Sequence, residues 1–71
     1  MTRDPVIVGM RLREAREAKG LSNPQLAAIS GVGTYTIYGL ELGKNMPPLH
    51  TAVALCEALG ITPNDLVKEE K

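Results

Sequence analysis

The side chains that most often carry catalysis are scarce in this sequence. There is one His, His50, and one Cys, Cys56, with no Ser–His–Asp or Cys–His arrangement around either. Two such ligands are too few for a protein-only zinc site, and one Cys cannot close an intramolecular disulfide. The carboxylates are scattered, and 71 residues leave little room for a sizeable pocket. The expectation is therefore a non-enzyme that needs neither metal nor cofactor. Cys56, among Ala52, Leu55 and Leu59, reads as a small core residue and His50 as solvated surface. What remains is the chemistry of contact. Arg11, Arg13, Lys19 and Lys44 suit phosphate oxygens or plain solvation in about equal measure. Tyr35 and Tyr38 offer ring carbon and a hydroxyl to the surface of a partner.

The elements that position these residues follow from composition and punctuation. A chain this short holds one domain, here residues 1–71, with 44% hydrophobic and 23% charged residues, the balance of a folded globular protein. Its only aromatics are two Tyr, so the core must be built from Leu, Ile, Val, Met and Ala, which favours packed helices over strands. No apolar run approaches the roughly 20 residues that span a bilayer, and no basic-then-apolar signal pattern opens the chain. Together with the lone Cys, this points to a cytoplasmic protein with no membrane partner. The net charge is zero but uneven: Met1–Gly20 carries five basic and three acidic residues, Thr51–Lys71 two basic and four acidic. Such a balance disfavours strong non-specific polyanion binding while leaving a local basic edge able to grip a few phosphates.

Pro, Gly and capping residues bracket five helices. The first starts at Asp4-Pro5 and ends at Gly20, with Val8, Leu12 and Ala15 inward and Arg11, Glu14 and Lys19 in solvent. Ser22-Asn23-Pro24-Gln25 spells a capping box for a second, short helix running to about Ile29. Ser30-Gly31-Val32-Gly33 forms a turn in which Gly31 can take a positive φ and Val32 plugs the gap between the flanking helices. A third helix spans about Thr34–Leu42, with Ile37 and Leu40 inward, and stops at Gly43. A fourth starts near Pro48, carries Leu49, Ala52, Leu55, Cys56 and Leu59 on one face, and ends at Gly60. Thr62-Pro63-Asn64-Asp65 caps a last short helix holding Leu66, and residues 68–71 are expected to fray.

Two short helices joined by a Gly-containing turn, with small Ala27 at the crossing, make a helix-turn-helix unit. Several separate segments extend the pattern in order: Leu12-Arg13-Glu14-Ala15-Arg16, Lys19-Gly20-Leu21-Ser22, Leu26-Ala27, Gly31-Val32, Ile37, Glu41, Gly43-Lys44, Pro47, and Leu55 through Leu59-Gly60-Ile61. Over about Gly9–Leu66 the chain thereby resembles the Cro/C1-type helix-turn-helix domain of phage repressors and related bacterial regulators. The resemblance implies an all-α, five-helix lambda-repressor-like domain whose third helix enters the DNA major groove while the second crosses the backbone. It implies a structural ion pair between Arg16 and Glu41, tying helix 1 to the end of the recognition helix. It places Thr34, Tyr35, Tyr38 and Gly39 toward bases. Asn23 and Gln25 at the start of helix 2, and Lys44 and Asn45 after helix 3, fall toward phosphates, beside the basic residues named above. The outer face of helix 3 departs from the amide and basic side chains usual there, carrying two Tyr and a Gly, with Leu42 where Arg is common.

Two functions follow from this reading. The first is a sequence-specific transcriptional regulator, a repressor or Cro-like protein binding a palindromic operator as a homodimer. The second keeps the fold and uses the apolar strip of Ile29, Tyr35, Tyr38 and Leu42 to bind another protein. Gly39 fits either, because glycine inside a helix costs about 1 kcal/mol relative to Ala and suggests close approach by another backbone.

Overall fold

Five helices occupy the described residues, 1–69, of the computed structural model: α1 (Pro5–Ala18), α2 (Asn23–Ser30), α3 (Thr34–Glu41), α4 (Leu49–Leu59) and α5 (Pro63–Val67), with no strand among them. Asp4 caps α1 by accepting from the Val6 amide at 2.9 Å, with Pro5 at the first helical position. Both capping boxes form. Ser22 accepts from Gln25 N–H while Gln25 Oε1 accepts from Ser22 N–H, and Thr62 and Asp65 repeat the exchange at α5. Gly31 closes α2 with φ at 77° and its N–H on the Ala27 carbonyl, which makes the abrupt turn into α3.

Val8, Leu12, Leu26, Ile37, Leu40, Leu55, Cys56, Leu59 and Leu66 form one buried cluster, with Ala15, Leu21, Ala27 and Val32 packed against it. α1 lies against α3 and α5, while α2 lies against α3 and α4. The approach of α1 to α3 is close enough to exclude a side chain. A Cβ on Gly9 would sit 2.2 Å from the Leu40 carbonyl oxygen. Just past the same end of α3, a Cβ on Gly43 would fall 2.9 Å from Val6 Cα. Glycines at 9 and 43 thus let the start of α1 lock both the last turn of α3 and the residue that stops it.

Two sequence expectations are corrected here. Leu49 does not share the buried face of α4. It sits in the first turn, 77% exposed, on an open apolar groove of about 270 Å³ whose walls include Met1, Met46, Pro47 and Leu66. Leu49, the first residue of α4, lies beyond the core that Ala52, Leu55, Cys56 and Leu59 fill. Arg11 is not in solvent: its half-buried guanidinium reaches across α5, donating to the Leu66 carbonyl at 3.1 Å and to the Lys68 carbonyl, an end where free carbonyls attract a cation. The C-terminal tail makes two contacts at its start. Lys68 N–H bonds the Asn64 carbonyl at 2.8 Å, and Glu69 meets the N-terminal ammonium at 2.7 Å. Glu70 and Lys71, the rest of that tail, lie outside the described residues.

Candidate nucleic-acid interface

The orientation of α3 is fixed from behind by Arg16. Its Nε and one terminal nitrogen grip the Glu41 carboxylate at 2.7 and 3.0 Å, and the other terminal nitrogen donates to the Leu21 carbonyl at 2.8 Å. Both side chains are largely buried, 12% and 7% exposed. The fork matches two carboxylate oxygens at once, which fixes direction as well as distance. The hydrogen-bonded Glu41 carboxylate raises the Arg16 pKa against the opposing pull of burial. One side chain therefore joins α1, the α1–α2 connection and the end of α3.

With Ile37 and Leu40 buried and Glu41 turned to Arg16, the helical period sends Tyr35, Tyr38, Gly39 and Leu42 outward along one stripe. Tyr35 is 91% exposed, and Tyr38, Leu42 and nearby Ile29 are also well exposed. Gly39 is not a packing necessity: a Cβ there would meet nothing closer than Lys44 Cδ at 3.9 Å. That contact also brings the Lys44 stem over the same face. Thr34 is exposed in the first turn, behind a Gly33 cap that supplies no side-chain hydrogen bond. Asn45 is exposed beyond Lys44.

Beside the stripe, an open cleft of about 190 Å³ is lined by Arg13, Arg16, Asn23, Tyr38, Glu41 and Leu42. It brings the start of α2 and the middle of α1 to the flank of α3. Arg13 bonds Glu17 one turn away at 3.1 Å, but both side chains are more than half exposed, so the pair is weak and its guanidinium can be drawn to another anion. Asn23 Oδ1 is buried in the chain without a hydrogen-bond partner. Gln25 is exposed, yet its Oε1 is committed to the Ser22 amide at 2.8 Å.

The structure thus divides the sequence-derived contact residues. Arg13, Asn23, Tyr38 and Leu42 meet at one cleft, and Tyr35, Gly39 and Lys44 continue the same face. Arg11 is engaged at α5, and the Lys19 ammonium would lie 3.6 Å from a Cβ on Gly60, against the C-terminal cap of α4. There Lys19 offsets the negative end of that helix. Sequence reasoning missed Gly9 and Gly43 as the residues that seat α3. The available signal was Gly9 itself, a helix-interior glycine with no turn to make. Among the described residues no group of three His, Cys, Asp or Glu could hold a metal ion, and no helix is long and apolar enough to cross a membrane. Cys56 is buried, and burial pushes its thiol pKa up, away from reactivity.

Comparison with known proteins agrees with this architecture. The chain is 34% identical over 58 residues to the HTH-type transcriptional regulator DdrOP3 of Deinococcus deserti, a match covering 82% of this chain but only 45% of that protein. It is 33% identical over 61 residues to the uncharacterized HTH-type transcriptional regulator y4dJ of Sinorhizobium fredii, covering 86% of this chain and 79% of the other. Among solved structures it superposes on the restriction-modification controller protein C.AhdI from Aeromonas hydrophila with a TM-score of 0.84 at 42% identity, over 92% of this chain and 98% of that one. A helix-turn-helix family model matches residues 12–66, from the core residue Leu12 of α1 to the core residue Leu66 of α5. With α2, the Gly31 turn and α3 at the centre of that match, the chain belongs to the helix-turn-helix family.

Proposed function

We propose that the chain is a DNA-binding transcriptional regulator that lays α3 in the major groove, with Thr34, Tyr35, Tyr38 and Gly39 toward base edges. Arg13, Asn23, Gln25, Lys44 and Asn45 border that face and serve the flanking phosphates. The observation that carries the reading is the outward stripe of α3, held rigid from behind by the Arg16–Glu41 fork and flanked by Arg13 and Lys44. An eight-residue helix is about 12 Å long and covers only about three or four base pairs. A site of useful length therefore calls for two copies on a palindromic operator, with recognition helices about one DNA turn apart. A homodimer seated on a promoter would repress by occluding polymerase. Family membership, and likeness to transcriptional regulators and to a controller protein, support the assignment.

The test is a fluorescence-anisotropy titration of a duplex enriched from a randomised library, repeated at several salt concentrations. Two cations per protomer on the α3 face, Arg13 and Lys44, give a dimer a slope of log K against log salt of about −3 to −4. Lys44→Ala should weaken operator and random DNA about equally and make the slope shallower. The exposed carbon of Ile29, Tyr35, Tyr38 and Leu42 supports a second reading, a protein-binding face. Binding to a partner protein that needs Tyr35, with no salt-sensitive affinity for any duplex, would replace the first reading with the second.

A further inference from the structure

We propose that the α3 face discriminates DNA sequence through the 5-methyl group of thymine, with the rings of Tyr35 and Tyr38 making the contact, and not through paired hydrogen bonds to purines. The inference rests on the DNA-binding reading above and adds what that face is able to recognise.

The major groove shows each base pair as a pattern of donors, acceptors and, for thymine alone, a methyl group. Paired hydrogen bonds to guanine need Arg or Lys, and those to adenine need Asn or Gln. From Leu26 through Leu40 the sequence contains no charged residue and no side-chain amide. Several residues beyond α3 that could supply one are engaged or buried, while Arg13, Lys44 and Asn45 stand at the border of the face, where the reading above gives them to phosphates. Glu41 is gripped by Arg16, Gln25 Oε1 is held by the Ser22 amide, and Asn23 Oδ1 is buried. Lys44 follows the helix, with its stem lying over Gly39. The hydroxyls of Thr34 and Thr36 can donate or accept, so they bond to any base and separate few.

Carbon is what the stripe does present. Tyr35, Tyr38 and Leu42 are its exposed large side chains, and no hydrogen bond within the chain engages either Tyr hydroxyl among the side-chain bonds of the described residues. Gly39 leaves open space between them, where a Cβ would find only ordinary contact with Lys44. A methyl group projecting from a base edge can enter that space and be covered by the two rings. The stretch from Tyr35 to Leu42 is about 10 Å long, about three base-pair steps, so the thymines read should fall within one run of about three base pairs in each half-site.

Replacing thymine by 2′-deoxyuridine removes the methyl group and keeps every hydrogen-bonding atom of the base. The enriched duplex is therefore synthesised with each thymine replaced in turn and titrated with the full chain. Each contacted methyl should be worth about three- to fourfold in Kd, and a symmetric pair of replacements about tenfold or more. Tyr35→Ala or Tyr38→Ala should then bring the thymine and uracil forms to within about twofold of each other. Both side chains are exposed, so the variants should keep the wild-type helical circular dichroism. If salt-sensitive binding to the enriched duplex persists but uracil is tolerated at every position, the methyl proposal is overturned and the DNA-binding reading stands. A uracil penalty left intact in both Tyr variants would remove the Tyr assignment. Failure of the library to yield any bound duplex would sink the DNA-binding reading, and this proposal with it. Should a variant bind too weakly to titrate, the wild-type comparison of thymine with uracil still decides whether methyl groups are read.

Discussion

Arg16→Ala is the perturbation that most strongly tests how α3 is held. The guanidinium makes three hydrogen bonds, two to Glu41 and one to the Leu21 carbonyl, at 2.7 to 3.0 Å, and the pair is only 12% and 7% exposed. Removing Arg16 strands a largely buried carboxylate and a part-buried carbonyl together. Breaking a buried pair from one side typically costs about 3–5 kcal/mol. The small residual exposure of the pair places Arg16→Ala at the lower end, about 3 kcal/mol. For a domain of this size each kcal/mol moves Tm by about 4–8 °C, so the melt should shift down by at least about 12 °C. Glu41→Ala should cost less, about 2 kcal/mol, because Arg16 keeps its bond to Leu21 and its tip can turn toward the solvent-filled cleft. The double variant should be less destabilised than the sum of the two, with a coupling of about 1–2 kcal/mol. Thermal and urea melts followed by circular dichroism read all four proteins. Additive single effects, or singles within about 0.5 kcal/mol of wild type, would refute the fork as the clamp on α3.

Gly9→Ala should be among the most destabilising small substitutions in the chain, by about 2–4 kcal/mol in the same melts, because its Cβ would sit 2.2 Å from the Leu40 carbonyl and force α1 off α3. Gly39→Ala should do the reverse for the free protein, raising stability by up to about 1 kcal/mol, since the added Cβ meets only Lys44 at 3.9 Å. If a base edge approaches there, it should also weaken DNA binding, and tighter DNA binding by this variant would argue against such an approach. Asp65 has its pKa lowered below 3.8, first by the Thr62 backbone N–H and then by its hydroxyl. Its folded pKa is below the unfolded one, so its stabilising contribution is complete above about pH 4 and disappears as pH falls through the lowered value. Asp65→Asn should accordingly flatten the acid side of the stability–pH curve, as read by urea melts between pH 2 and pH 6.

How much of this was legible in the sequence depends on the range of the interaction. The capping boxes at Ser22 and Thr62, and the turn at Gly31, are settled within three or four residues, so the types at those positions were enough. The core face of α3 could be read from its period, since Ile37 and Leu40 had few alternatives. Arg11 could not be placed this way. Its acceptors lie 55 and 57 residues away, and whether it reaches them depends on how α1 packs against α5. Leu49 followed the periodic pattern of α4, but period says which face a residue shares and not how far the core beneath that face extends. Gln25 shows one side chain able to serve two roles: the capping box that starts α2 takes its oxygen, and its NH2 group, the donor that a phosphate needs, is not used in that bond. The tight seat of α3 at Gly9 was visible only as a glycine without a local reason.

The central claim is that DNA is met by α3 and the cleft beside it. The most direct measurement is a titration of the ¹⁵N-labelled full chain with the library-enriched duplex, following backbone amide shifts. The account predicts the largest changes over residues 33–45, with a second group at Asn23, Gln25 and Arg13, and only small changes along α4 and the groove around Leu49. Shifts concentrated on α4 and α5, with Tyr35 and Tyr38 unmoved at saturating DNA, would contradict it.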